Sequence, residues 1–361
     1  MTGLLEGMAD HGTTGLRAFR DEAAGLRGFL AVHDTTLGPA AGGTRRFAFG
    51  SEQDAVEDVL RLSRAMTYKF AISGIDLGGG KAVIWVDDDE CSEALYRAYG
   101  RVVESFGGRF LTGGDVGTGT RELRWIARET DYVVGLPQQF DHPEGYHGGG
   151  LGLLRAIEAA ADHRYDGRDL GDLHVAIQGV GEMGWALARY LDDAGAQLTV
   201  ADPDGEAVDA AVERFGATPV DPADVYGVEC DVFAPCALGG VLNGDTVPTL
   251  GCDVVAGAAN NQLADEREHA RLLHDSDVLY VPDYLANSGR TIDDTDLLRP
   301  GGYSHDRARA MVEGIYDRVR EVLARSERED RPTQRVADSI AEERIAAVGG
   351  VRDQPAPRRP R

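Results

Sequence analysis

The chain has 361 residues and a mass of 38.7 kDa, enough for two domains of ordinary size that each bury a core. A formal net charge of −24 leaves no basic surface for nucleic acid or an anionic membrane, and abundant Asp and Glu suit a hydrated, halophile-like surface in a salty cytoplasm. No apolar run of about eighteen residues and no charged-then-apolar leader occurs, so a soluble cytoplasmic protein is expected.

From Gly25 the run LRGFLAVHDTT reads as a strand, and LGPAAGGTRRF as a glycine-bearing loop around Gly42 and Gly43. Ser51 to Met66 opens with a Ser cap and acidic residues, then places Val56, Val59 and Leu60 at helical spacing. This helix delivers Lys69 to a cleft.

Of the 37 Lys and Arg residues only Lys69 and Lys81 are lysine, and both lie in MTYKFAISGIDLGGGK. Arginine keeps its proton above a pKa of about 12, whereas a lysine can be made neutral by burial or by a second cation and then act as base or nucleophile. The alternative is codon bias that spared two lysines by chance. Gly78, Gly79 and Gly80 precede Lys81 and either let backbone amides approach a small anion or form a tight turn.

After Lys81, AVIWV reads as a buried strand, Ser92 to Phe106 as an amphipathic helix, and RFLTGGDVGTGT as strand and loop with Asp115 just past the strand end. Leu136 to Gly150 holds two prolines and four glycines without periodicity, which suits a hinge at about 136–150. That division gives a substrate domain over 1–148 and a second domain over 149–330.

Beyond the hinge, Leu151 to Ala161 is helical. LHVAIQ is a strand that runs into Gly179, Val180, Gly181, Glu182, Met183 and Gly184 and a helix to Asp193, and a second strand, AQLTVAD, ends in Asp202. Strand, glycine turn, helix, strand and terminal acid in this order form a dinucleotide fingerprint. The glycines let a pyrophosphate meet the helix N-terminus and Asp202 accepts from a ribose diol, so NAD is favoured over NADP; the alternative is a glycine turn without nucleotide.

Further strands, CDVFAP, CDVVAG and VLYVPD, end in small or amide-rich loops that carry Ala237, Asn260, Asn261 and Asn287. Ligands bind at the carboxyl ends of such strands, so these residues face cofactor or substrate, or the asparagines only cap the next helix. His305 to Arg325 reads as one long helix. Thr333 to Val348 reads as another that returns to complete the first domain, before a disordered tail over 349–361. Four cysteines without a CxxC pair and nine histidines without an HExxH pattern leave no metal site in view.

The segments HDTTLGPAAGGTR, MTYKFAISGIDLGGGKAVI, DVGT, QGVGEMGWALARYL, APCALGG, AGAANNQL and VPDYLANSG resemble the Glu/Leu/Phe/Val dehydrogenases, and within them the leucine dehydrogenase branch. The resemblance runs from about residue 25 to 346. It implies an α/β chain of two domains, an N-terminal α/β substrate domain and a doubly wound Rossmann NAD-binding domain, and a homo-oligomer. It also implies NAD-dependent oxidative deamination of an L-amino acid with an apolar or aromatic side chain to the 2-oxo acid and ammonia. Lys69, the Gly42–Gly43 backbone and Asn261 would hold the substrate carboxylate; Lys81 as a neutral amine would activate water and Asp115 would handle proton transfers. Ala41, Gly113, Thr291 and Asp294 would line the side-chain pocket.

Two departures stand out. Gly149 takes the place of a family threonine, with a cofactor contact at stake, and NSGRTIDD puts Thr291 and Asp294 where apolar residues are usual. Asp294 either faces a polar group on the substrate or turns to solvent. These departures motivate a second reading, a non-catalytic NAD- and amino-acid-binding sensor.

Overall fold

A computed structural model describes residues 3–87 and 91–350, which fall into two compact units. The first holds the chain through Asp141, Asp294–Tyr303 and the segment from Ala341 on; the second holds His142–Asp293 and Ser304–Ile340. The tail expected over 349–361 lies, from 351, outside the described residues.

The first unit is built on a five-stranded mixed sheet of β1 (Gly15–Asp21), β2 (Leu26–Asp34), β3 (Ala40–Phe47), β4 (Gly78–Trp85) and β5 (Phe110–Gly113). Their spatial order is β1-β2-β4-β3-β5, with β2 antiparallel to β1 and β4, and β3 parallel to β4 and β5. Four helices accompany it: α1 (Leu4–Asp10), α2 (Glu52–Ile72), α3 (Glu93–Glu104) and α4 (Thr120–Ile126). Ser51 caps α2 by accepting from the Asp54 amide at 3.2 Å, and Ser92 caps α3 by accepting from Leu95 at 3.1 Å. Leu30, Ile84, Tyr96, Tyr99 and Phe110 fill one core, while Ala31 and Val83 meet Ala55, Val59 and Leu60 of α2 in another.

Three expectations change here. The Gly42–Gly43 segment is the strand β3 and not a loop, and the triple glycine opens the strand β4 and is neither turn nor anion nest. Close backbone packing is the reason. A methyl group on Gly79 would overlap Thr67 and the Ser63 carbonyl of α2, and one on Gly80 would come 2.8 Å from the Phe110 ring. Glycine lets helix and strand approach without a side chain between them. Finally, α2 continues to Ile72, so Lys69 lies in its last turn.

The second unit carries a six-stranded parallel sheet of β6 (His174–Gln178), β7 (Gln197–Ala201), β8 (Thr218–Pro219), β9 (Cys230–Pro235), β10 (Cys252–Val255) and β11 (Leu279–Tyr280). The order β8-β7-β6-β9-β10-β11 is that of a doubly wound dinucleotide-binding sheet, with its switch point between β6 and β9. The connecting helices are α5 (Gly148–Tyr165), α6 (Glu182–Asp193), α7 (Gly205–Phe215), α8 (Glu266–Asp275) and α9 (Asp283–Ala286). They are followed by α10 (Ser288–Asp296), α11 (His305–Glu313), α12 (Ile315–Glu329) and α13 (Thr333–Gly349). Both α10 and α13 contribute residues to each unit.

Helix α5 begins inside the stretch expected to be aperiodic. His147 caps it, its Nδ1 accepting from the Gly150 amide at 3.0 Å, and a methyl on Gly150 would come 2.9 Å from Ala186 of α6. The single helix expected over 305–325 is divided at Gly314 into α11 and α12. Among the described residues no helix is long and apolar enough to cross a membrane, and no group of three His, Cys, Asp or Glu side chains is arranged to hold a metal ion.

The glycine-packed contact between α2 and β4 carries a direct test. Gly79→Ala is expected to lower stability by about 1–3 kcal/mol through overpacking, whereas Gly181→Ala, where a methyl meets nothing within 4 Å, should stay within about 0.5 kcal/mol of the parent. Denaturant melts of both variants decide it; equal stabilities would contradict the packing argument.

Candidate active site

In the first unit the strand register determines what stands beside what. Ala41 pairs with Gly79 and Thr44 with Ala82, which sets Gly43 beside Lys81; on the other side Gly43 pairs with Gly113. Lys81, Gly43 and Gly113 therefore form one row across β4, β3 and β5 and share a face of the pleat. Gly79, two residues before Lys81, lies on that same face, which α2 covers. Met66 of α2 approaches Gly42, within 3.3 Å of where a methyl there would sit, and Lys69 follows Met66 by three residues on the same helical side. Both lysines are buried, Lys69 at 7% and Lys81 at 4% exposure.

A buried ammonium needs an anion, and Asp115 supplies it. The chain leaves β5 at Gly113 and closes a tight turn in which Asp115 and Thr118 exchange backbone hydrogen bonds, at 3.2 and 2.8 Å, with Gly117 at φ +73. The turn is pinned to β3, where the Arg46 amide donates to Val116 at 2.9 Å. Gly43 makes room for it, since a methyl there would come 3.0 Å from the Asp115 Cβ. The Lys81 Nζ donates to Asp115 Oδ2, while Oδ1 accepts from the Arg45 Nε at 3.2 Å and from the Val116 amide at 2.6 Å. Burial alone would push this carboxyl up. The Lys81 ammonium and the Arg45 guanidinium outweigh it and hold Asp115 well below the usual carboxylate range.

Arg45 is anchored in turn by Asp58 of α2, its Nη1 lying 3.0 and 3.1 Å from the two carboxylate oxygens. Burial raises the Asp58 carboxyl against the opposing pull of Arg45 and Lys81. Neither Arg45 nor Asp58 stands out in the sequence. Among 35 arginines and 61 acidic residues nothing local marks the few that are buried and paired.

The remaining expected pocket residues divide by position. Ala41 is buried in β3 at 1% exposure, and a methyl on Gly113 would meet Val134 at 3.3 Å. Thr291 and Asp294 lie in α10, both half-buried. The Asp294 carboxylate faces the backbone of Gly135, which takes φ +88, so it is not simply turned out to solvent.

In the second unit Gly179, at φ +94, turns the chain out of β6, and Gly184 lets α6 pack so closely that a methyl there would overlap the Gly179 carbonyl. Across the switch point a methyl on Gly179 would come 2.7 Å from the Ala237 Cβ. Gly181 has open space before it. Asp202 directly follows β7, with Oδ2 accepting from the Val180 amide and Oδ1 from the Asp204 amide, both at 2.9 Å, which leaves further lone pairs on each oxygen for a ribose diol.

Asn287 donates to Asn260 Oδ1 at 2.9 Å and to the Ala258 carbonyl at 3.0 Å, yet its own Oδ1 is buried without a partner. Asn261 sits in the left-handed region at φ +54, a conformation asparagine tolerates and functional loops use. An orphaned carboxamide oxygen and an open, glycine-lined helix N-terminus fit a bound dinucleotide.

The departure at Gly149 has a structural counterpart. The Met183 Cε lies 2.7 Å from where a side chain on Gly149 would begin, so the thioether fills that space. Beside it a cleft of about 510 Å³ is lined by Tyr146, His147, Gly181, Glu182, Trp185 and Arg189. Hydrogen bonding from His147, against the opposing effect of burial and with help from Arg290 at 2.7 Å, holds Glu182 down to about 2.

Known proteins match the chain over most of its length. Residues 15–132 match the family model described as Glu/Leu/Phe/Val dehydrogenase, dimerisation domain, and residues 206–292 match that of glutamate/leucine/phenylalanine/valine dehydrogenase. The chain is 45% identical to leucine dehydrogenase of Geobacillus stearothermophilus over 335 residues, which cover 91% of this chain and 89% of that one. It is 41% identical to L-tryptophan dehydrogenase of Nostoc punctiforme, covering 89% and 90% of the two chains. A crystal structure of L-tryptophan dehydrogenase from Nostoc punctiforme matches with a TM-score of 0.79 and 38% identity, covering 96% of this chain and 99% of that one. At that identity and coverage, this chain belongs to the Glu/Leu/Phe/Val dehydrogenase family.

Proposed function

We propose that the protein catalyses the reversible NAD-dependent oxidative deamination of an L-amino acid to the 2-oxo acid and ammonia. The buried Lys81–Asp115 pair carries this reading, because it sets one of the chain's two lysine amines against a carboxylate held well below its usual range. Relatives named leucine, L-tryptophan and phenylalanine dehydrogenase support a substrate with an apolar or aromatic side chain.

When bound, NAD supplies the acceptor for the hydride that leaves the substrate Cα. Gly179, Gly181, Glu182, Met183, Gly184, Ala237, Asn260 and Asn287 are the residues we assign to hold it, with Asp202 on the ribose. Lys69 and the Gly42–Gly43 backbone bind the substrate carboxylate, and Asn261 is a further substrate contact. Lys81 as the free amine takes a proton from water as the water attacks the imine carbon, and the Asp115 carboxylate assists the proton transfers as ammonia departs. Ala41 and Gly113 leave space for the side chain, with Thr291 and Asp294 as further specificity residues. The family model over residues 15–132 is that of a dimerisation domain, which supports a homo-oligomer.

A panel of aliphatic, aromatic and basic L-amino acids, assayed for NADH formation at alkaline pH in molar salt, should reveal turnover. Lys81→Ala should lower kcat by about 10²- to 10⁴-fold while the protein stays folded. Folded protein that binds NAD but turns over nothing on the panel would instead be the amino-acid sensor. For the cofactor, Asp202→Ala should reduce the preference for NAD over NADP by about tenfold to a hundredfold, the worth of a hydrogen bond to a charged group. An unchanged ratio of kcat/KM for the two would contradict the assignment of Asp202.

A further inference from the structure

The charge cluster of the first unit extends beyond the two groups assigned to proton transfer. Four ionic side chains run in sequence: Lys81 from β4, Asp115 from the turn after β5, Arg45 from β3 and Asp58 from α2. Their side chains are 5%, 8%, 18% and 22% exposed, so salt screens these ion pairs less than it screens surface pairs. The arrangement is asymmetric about Asp115. Oδ1 is engaged by the Arg45 Nε and the Val116 amide, and Oδ2 alone is turned to Lys81. Arg45 could not hold this pose by itself, because a long side chain with one distant contact has many rotamers. The two-oxygen grip of Asp58 on its Nη1 fixes it.

We infer that Arg45, clamped by Asp58, is a positioning residue for the reaction: it keeps Oδ2 of Asp115 aimed at the Lys81 amine and sets the proton affinity of that pair. The inference rests on Lys81 and Asp115 being the proton-transfer groups. The groups that face Asp115 are Lys81, Arg45 and the Val116 amide, with Asp58 behind Arg45 and Arg61 acting on Asp58 from the same helix.

The two halves of the clamp carry opposite charge, and this makes the test directional. In Arg45→Gln a positive charge beside the pair disappears, so the Lys81 ammonium is favoured and a higher pH is needed to free the amine. In Asp58→Asn a negative charge disappears and Arg45 is left uncompensated, so the ammonium is disfavoured. The acid limb of the kcat/KM profile for deamination should therefore move up in Arg45→Gln and down in Asp58→Asn, each by on the order of one pH unit. Arg45→Lys restores the charge without the forked grip and should bring the limb back towards its parent position while kcat stays low.

The profiles are recorded on folded protein at one ionic strength, with a thermal melt of each variant. Limbs that stay in place, or that move in the same direction in both variants, overturn the inference, since loss of structure alone lowers amplitude without opposite shifts. If Arg45→Gln does not fold, the isosteric Asp58→Asn carries the test alone. Lys81→Met separates the two levels. Turnover that survives Lys81→Met removes the reading of Lys81 as base. Turnover that vanishes there, with unmoved limbs in the clamp variants, removes only the role of Arg45 and Asp58.

Discussion

An ammonium group at 4% exposure is the constraint around which the first unit is arranged. Breaking a buried ion pair by removing one partner costs about 3–5 kcal/mol. Much of the local architecture serves to bring Asp115 to Lys81. The absence of a side chain at Gly43 admits the Asp115 turn, Gly117 takes the positive φ that closes it, and Arg46 ties it to β3. The same buried pair limits what else the region can be. A side chain at Gly43 would overlap the Gly114 carbonyl beside Asp115, and one at Gly79 would overlap α2.

The second unit meets a different demand, to leave room where a ligand must approach and to pack tightly everywhere else. Its glycines separate into these two roles. Gly179 and Gly184 permit close contact between β6, α6 and Ala237, whereas Gly181 faces open space at the helix N-terminus. Met183 adds a local adjustment, with its flexible thioether occupying the space before Gly149. A fixed parallel sheet thus carries a ligand surface whose details can be altered by single side chains.

How much of this could be read from the sequence depended on whether the cause was local. The dinucleotide turn was legible because strand, glycines, helix and terminal acid are contiguous, and the lysine pair because the rest of the chain avoids lysine. Gly42–Gly43 and Gly78–Gly80 were misread as loop and turn because glycine normally disfavours strands. Here the decisive fact is how closely neighbouring backbones and α2 approach, and that is settled only by tertiary packing. The start of α5 at Gly148 was hidden for the same reason, since three successive glycines give no helical signal until Asp293, Met183 and Ala186 are known to press against them in turn. Arg45 and Asp58 were missed because their significance is burial and pairing across β3 and α2, which no spacing of charged residues in an acidic chain reveals.

The scarcity of lysine makes the central claim open to direct observation. Protein labelled with ¹³Cε-lysine should give two lysine signals, assigned by Lys69→Arg. If Lys81 is bound to Asp115 in solution as described, Asp115→Asn will shift the Lys81 signal markedly and change its titration, while the Lys69 signal moves little. Should both signals remain where they were and titrate as before, the two groups are not paired and the account of this site is wrong.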